Sequence, residues 1–130
     1  MTFDVIGIAG SALTVHRKWM DAIADNLANI NTATKTSGNA FQARFVEAQA
    51  GAGNSGVHVS GVALGSATGR VVNDPTNPLA DKDGNVRMPD IDLGTEMGQL
   101  IMAQRGYQAN AAVVDRAKTS YEAALQIGKA

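Results

Sequence analysis

The sequence contains no cysteine, which excludes disulfide bonds, thiolate zinc sites and a cysteine nucleophile. Aromatic residues make up only 5% of the 130 residues, so large side chains for a core are scarce. The net charge is −1, which favours neither a nucleic-acid-binding surface nor an acidic tail for a charged partner. No apolar run approaches the roughly 18 residues of a membrane span. The length suits one domain.

The apolar stretch at 3–15 does not have the charge order of a secretory signal. Asp4 stands at its start, and His16, Arg17 and Lys18 follow it. A cleaved signal carries its positive charge before the apolar stretch. If the protein leaves the cytoplasm, we therefore expect a route that cleaves no signal peptide.

The N-terminal part of the chain repeats apolar residues at alternating spacings of three and four, the pattern of a coiled-coil helix. It predicts a helix over about residues 3–30, interrupted only by His16. A second line that includes Val15 and Trp19 widens the apolar stripe. The main line is Ile6, Ala9, Leu13, His16, Met20, Ile23, Leu27 and Ile30.

The C-terminal part has the same spacing and predicts a helix over 93–127. Pro89 precedes it, Thr95 is a candidate cap, and Glu96 suits the positive end of the helix dipole. Such a helix spans roughly 50 Å, whereas a compact domain of this size is roughly 36 Å across. The line is Leu93, Met97, Leu100, Gln104, Tyr107, Ala111, Val114, Lys118, Tyr121 and Leu125.

The middle of the chain is rich in glycine and turn residues. AGAGNSG at 50–56 is small and flexible, VHVSGVALG at 57–65 is β-branched, and NDPTNP at 73–78 favours a turn. We expect two or three short strands joined by turns, or disorder in part. The predicted fold is mainly α: two long antiparallel terminal helices (1–32 and 91–130) form a coiled-coil rod, with a small glycine-rich β/loop segment at 33–90.

Neither histidine has a partner at metal-ligand or nucleophile–base spacing. His16 lies in the first apolar line and His58 in a strand-like stretch, so a tolerated packing or interface histidine is the better interpretation. GSATGR at 65–70 lacks the Gly-Lys-Ser/Thr ending of a phosphate loop. We expect no cofactor, no metal and no enzymatic activity.

A calcium loop is the remaining alternative. Asp81, Asp83 and Asn85 imitate its start. However, Val86 stands where the loop needs glycine, and Asp92 where it needs a bidentate glutamate. A simple turn fits better.

Two terminal motifs carry a family resemblance. NLANINT at 26–32 and MAQRGYQANAAVVDRAK at 102–118 resemble the terminal segments of the flagellar axial proteins, the rod, hook and linker family. Within that family, FQAR at 41–44, NDPTNPLADKDGNVRMPDIDLGTEM at 73–97 and the short length resemble the proximal rod proteins of the basal body.

The resemblance implies a structural role. Such proteins pack their paired terminal helices into a tubular helical assembly, the drive shaft that crosses the periplasm, transmits torque and encloses the export channel. They are exported unfolded through the flagellar type III apparatus without a cleaved signal. Expected partners are copies of the chain, other proximal and distal rod proteins, and the membrane-ring and export-gate end of the basal body. No nucleic acid, small-molecule substrate or lipid-spanning segment is expected.

On this interpretation, the apolar lines pack within the subunit, and flanking residues contact neighbouring subunits. The predicted intra-subunit set is Ile6, Leu13, Met20, Ile23, Leu27, Met97, Leu100, Tyr107, Val114, Tyr121 and Leu125. The predicted inter-subunit set is Arg17, Trp19, Asn26, Asn29, Arg105, Gln108, Asn110 and Arg116.

Three asparagines mark the end of the first helical pattern. Asn31 is predicted to cap it, because asparagine tolerates left-handed backbone and bonds to nearby peptide groups. Asn26, like Asn110, is predicted to lie between subunits, where a buried amide can fix register.

The alternative is a self-sufficient coiled-coil adaptor that binds one partner helix. Both interpretations share one expectation: the apolar stripes are wider than a single partner helix can cover.

Overall fold

The computed structural model describes residues 2–129 as two long helices with four short strands between them. The helices are α1 (Thr2–Asn29) and α2 (Leu93–Ile127), and the strands are β1 (Arg44–Ala50), β2 (Val57–Leu64), β3 (Arg70–Asn73) and β4 (Asn85–Met88). The prediction of a helix at each end around a small β segment is confirmed. The first and last residues of each helix agree with the predicted ones to within one residue. The predicted segment limits at residues 1 and 130 lie outside the described residues.

Helix α1 ends through side-chain hydrogen bonds of Asn29. Its Nδ2 donates to the Asp25 carbonyl at 2.9 Å, and its Oδ1 accepts from the Thr32 hydroxyl at 3.2 Å. Every described residue with a positive φ is a glycine, so Asn31 is not a left-handed cap. The prediction that Asn31 caps the helix is therefore wrong. Asn29 forms the hydrogen bonds at the helix end instead.

Helix α2 begins at a side-chain cap supplied by Asp92. One carboxylate oxygen accepts both the backbone N–H and the hydroxyl of Thr95, each at 2.7 Å. These two bonds, the hydroxyl first, lower the pKa of Asp92. Thr95 therefore helps the cap as a donor, whereas the sequence suggested it as the cap itself.

The strands form two separate antiparallel hairpins rather than two or three strands. β1 pairs with β2 from Arg44↔Leu64 to Ala50↔Val57, with a bulge after Glu47. β3 pairs with β4 from Arg70↔Met88 to Asn73↔Asn85. The sequence does not predict β1 or β4. β1 has the polar sequence RFVEAQA and is ordered by pairing with the valine-rich β2.

The helices lie antiparallel and the core is small. Asn26 near the end of α1 contacts Glu96 near the start of α2, and both hairpin strands β1 and β2 also pack on α1. Among residues 2–129, five of nine buried apolar residues are alanines: Ala9, Val15, Ala22, Ile23, Ala40, Ala43, Val86, Ile91 and Ala103. Small side chains let the backbones approach closely. Over the same residues, neither helix combines the length and apolar character needed to cross a bilayer.

Candidate functional site

The candidate site is the surface of the helix pair, where most of the residues singled out in the sequence lie. Over residues 2–129, no three His, Asp or Glu side chains are grouped closely enough to hold a metal. Asp81 stands at the start of the calcium-like sequence. Its carboxylate accepts hydrogen bonds from the N–H groups of Asp83 and Asn85 and from the Thr36 hydroxyl, at 2.9–3.0 Å. The Asn85 and Thr36 bonds lower its pKa, as expected for a carboxylate that closes a turn.

The face that α2 turns toward the rest of the chain coincides only in part with the apolar line predicted from the sequence. Met97, Gln104 and Lys118 of that line are exposed, whereas Glu96, Ala103 and Ala117 are more enclosed. The enclosed positions still follow a spacing of three and four: Glu96, Leu100, Ala103, Tyr107, Asn110, Val114 and Ala117. Small and polar residues therefore share the contact face with Leu100, Tyr107 and Val114, and several large apolar residues remain outside it.

The residues predicted to pack within the subunit divide into two groups. Ile23 is buried, and the half-buried members are Ile6, Leu13, Met20, Leu27, Leu100, Tyr107 and Val114. Met97, Tyr121 and Leu125 are exposed in the single chain. The structure places these three outside the packed face.

Asn26 forms a junction between three elements. Its Oδ1 accepts the Arg44 N–H at 2.8 Å, and its Nδ2 donates to the Arg44 carbonyl at 3.0 Å and to Glu96 Oε2 at 3.2 Å. Asn26 is only 1% exposed and Glu96 only 3%. The structure thus engages this amide within the subunit, joining α1, β1 and α2.

Sequence reasoning missed the partners of Asn26. In the sequence, Glu96 stands out only for its place at the positive end of a helix dipole, and Arg44 only as part of the FQAR motif. The only sign in the sequence that Asn26 has a special role is its position, as a polar residue near the end of an apolar pattern. The partners stand 18 and 70 residues away, and no periodicity connects such distant positions.

His16 packs against Gly106 at the middle of the helix pair. A Cβ at position 106 would lie 2.2 Å from His16 Nε2 and 2.5 Å from Cδ2, so the ring occupies the space a side chain would need. The ring is held in place by a 2.7 Å hydrogen bond between Nδ1 and the Ala12 carbonyl. Gly106, which costs stability inside a helix, therefore permits the close approach of α1 and α2.

The other residues predicted for inter-subunit contacts lie mainly on outer faces. Arg17, Arg105, Gln108 and Arg116 are exposed. Asn29 and Asn110 are half-buried, and each donates to a carbonyl of its own helix, Asp25 at 2.9 Å and Gly106 at 2.8 Å. Their contacts with other subunits remain predictions.

Trp19 lies at an open apolar cleft between α1 and the first hairpin. The cleft has a volume of about 320 Å³ and is also lined by Val15, His16, Val46, Ala48 and Val57. The indole stands tilted beside the His16 ring, with 6.1 Å between ring centroids. A half-buried tryptophan at the edge of an apolar opening has surface left for a further contact.

Large apolar side chains are exposed along α2. The alignment of the helices explains the exposed residues at the C-terminal end of α2. Asn26 lies beside Glu96, and His16, ten residues before Asn26, lies beside Gly106, ten residues after Glu96. If this one-to-one antiparallel pairing continues along both helices, Thr2 lies level with Ser120. The last turns of α2 therefore extend past the start of α1. We call residues 122–127 the overhang. Exposed apolar residues of α2 include Leu93, Met97, Ile101, Met102, Val113, Leu125 and Ile127.

Comparison with known proteins gives matches along the chain. Residues 6–33 match the family described as "Flagella basal body rod protein", and residues 82–127 match "Flagellar basal body rod FlgEFG protein C-terminal". "Flagellar basal-body rod protein FlgC" of Escherichia coli O157:H7 is 37% identical, and that of Salmonella typhimurium 36%, over 97% of both chains in each case. The protein of that name from Bacillus subtilis is 31% identical over 98% of both chains.

Proposed function

Because the chain belongs to the FlgC family of flagellar basal-body rod proteins, we propose that it is a structural subunit of the proximal rod. The family is structural, so the chain is not an enzyme. Its work is to fill a place in the rod, the drive shaft that transmits torque and encloses the export channel.

The observation that carries this proposal is the apolar surface that α2 leaves uncovered. Leu125 is 47% exposed and Ile127 78%, both on the overhang, and Met97 is 44% exposed at the other end of the same helix. One helix with exposed apolar residues along its length has more such surface than α1 covers. Burial of this surface against neighbouring subunits removes it from water.

In this proposal the terminal helices form the shared inner layer as coiled coils. The segments 1–32 and 91–130 belong to that layer, and 33–90 forms the small outer part. Arg17, Arg105 and Arg116 are exposed on the helices and are candidates for contacts between subunits. The enclosed faces of α1 and α2 hold each subunit together before those contacts form.

The proposed partners and route follow from the same role. Partners are copies of the chain, other proximal and distal rod proteins, and the membrane-ring and export-gate end of the basal body. The protein crosses the inner membrane unfolded through the flagellar type III apparatus, without cleavage of a signal peptide. A core made largely of alanines suits a chain that must unfold for export.

A deletion strain carrying the chain on a plasmid tests the function. We expect the chain to restore motility, to co-purify with basal bodies, and to stay out of the periplasm when the export gate is deleted. Basal bodies that form complete rods without the chain would contradict the proposal. So would periplasmic protein in the gate-deletion strain.

Circular dichroism of the dilute monomer separates this role from that of a coiled-coil adaptor. A rod subunit has frayed helix ends that gain helicity on polymerisation, because the overhang is unsupported in the single chain. An adaptor is fully helical at every concentration. Concentration-independent, complete helicity would therefore favour the adaptor.

A further inference from the structure

Two contacts between α1 and α2 specify one and the same alignment of the helices. Asn26 meets Glu96, and ten residues earlier on α1, His16 meets Gly106, which is ten residues later on α2. We propose that these two contacts form a register lock, which fixes the axial position of α2 along α1. The lock is a property of the single chain and stands apart from the proposed function.

A lock is needed because the rest of the contact face barely distinguishes one alignment from the next. Enclosed positions on α2 recur every three or four residues and include Ala103 and Ala117. On α1 they include Ala9 and Ala22. Apolar burial is non-directional, so a shift by one turn or one heptad brings similar small side chains together.

The Asn26–Glu96 contact opposes an axial shift of α2 along α1, because the Asn26 side chain is held in place and cannot move with α2. Two of its three hydrogen bonds go to the backbone of Arg44 in β1, which holds the amide in one orientation. If α2 moves by one turn, the Glu96 carboxylate leaves the Nδ2 donor. A buried acceptor without its donor disfavours the shifted alignment, more strongly when it is charged.

The steric contact opposes slippage by shape. The His16 ring lies where a Cβ at position 106 would be, and its bond to the Ala12 carbonyl keeps it there. One turn away on α2 stand Met102 and Asn110, which both carry a Cβ. The ring therefore fits at Gly106 and collides at the neighbouring alignments.

Spin labels can measure the alignment, because the chain has no cysteine of its own. Cysteines at Ala24 and Ala112, both exposed, place labels on separate helices. Position 24 lies level with position 98, so the labels are about 21 Å apart along the axis, and a slip of one turn changes this by about 5.4 Å. The measurement uses the full chain in sucrose, which favours the compact state.

Gly106→Ala is the decisive variant, and Gly98→Ala is its matched control, because a Cβ at position 98 meets nothing within 4 Å. We expect one narrow distance in the parent and in Gly98→Ala, a shifted or second distance in Gly106→Ala, and the parent distance again in His16→Ala/Gly106→Ala. Glu96→Ala should add a second distance, whereas Glu96→Gln, which keeps an acceptor, should not.

Three results would overturn the register lock. The first is a parent chain with several distances. The second is a folded Gly106→Ala variant with the parent distance. If Gly106→Ala loses its helical content, the double variant decides: recovery supports the lock, and failure to recover overturns it. None of these results depends on rod assembly, so they leave the proposed function to its own tests.

Discussion

The side chain of Asn26 holds both backbone groups of Arg44, accepting its N–H at 2.8 Å and donating to its carbonyl at 3.0 Å. The Asn26 amide thus satisfies the backbone donor and the backbone acceptor of Arg44 together. A neighbouring antiparallel strand bonds a residue in the same way. Since the same amide reaches Glu96, the end of α1, the first strand and the start of α2 are joined through one side chain.

We expect Asn26→Ala to lower the free energy of unfolding by about 3 kcal/mol, because each buried group left without a partner costs about 1–3 kcal/mol. Urea unfolding followed by circular dichroism measures this loss. The matched control is Asn29→Ala, whose amide bonds only near the helix end, and which we expect to change stability by less than about 1 kcal/mol. Equal losses in both variants would show that the junction has no special role.

Two glycines of the same helix should respond with opposite sign. Gly98→Ala should stabilise the chain by up to about 1 kcal/mol, since alanine is the better helix former and the site is open. Gly106→Ala should destabilise it by about 1–3 kcal/mol, because the new methyl group meets the His16 ring. Urea unfolding of both variants tests this, and a stabilised Gly106→Ala would contradict the close packing described for His16.

Acid should weaken the start of α2. Hydrogen bonds from Thr95 lower the pKa of Asp92 in the folded chain, so the folded state binds fewer protons there than the unfolded state. The contribution is fully present above the unfolded pKa of about 3.9 and is lost as the pH falls through the lower folded value. Asp92→Asn keeps an oxygen acceptor but does not titrate. Melting temperatures between about pH 2 and 6 should therefore depend less on pH in the variant, and an unchanged pH profile would count against the cap.

A negative charge in place of an apolar side chain of the overhang should block assembly. Leu125→Glu and Ile127→Glu place a carboxylate where apolar surface is to be covered, so we expect loss of motility and fewer complete rods, with the helices of the single chain unchanged. Gln126→Glu adds the same charge between them, on a polar residue, and serves as the control. Normal motility in both apolar variants would remove the overhang from the assembly surface.

The helices were predictable because a spacing of three and four over some thirty residues admits no strand. The packed face of α2 was only partly predictable, because the apolar spacing favours the positions of Met97 and Gln104 over those of Glu96 and Ala103. Close approach of two helices selects small side chains, while larger ones such as Met97 stay outside. The same preference hid the role of Gly106, which looks unfavourable when α2 is considered alone.

The middle segment was harder for a different reason. β2 carries its own signal in VHVSGVAL, but β1 gains its strand conformation from a partner that follows it in the chain. Asn26 is the clearest case among the site residues. Its position at the end of an apolar pattern suggested a special role, but the choice between an inter-subunit and an intra-subunit bond depends on Arg44 and Glu96, which only the fold brings near.

Because α2 extends past the start of α1, the two ends of the helix pair are unlike: one carries the overhang, and at the other Asn26 joins α1 to β1 and α2. A subunit of this kind has polarity along its long axis. Contacts that join unlike ends are heterologous: they do not close as a two-fold dimer does, and where the rotation between subunits does not close they continue as a helical filament with two different ends. The polarity of such a filament would then follow from the difference in length between two helices of one chain.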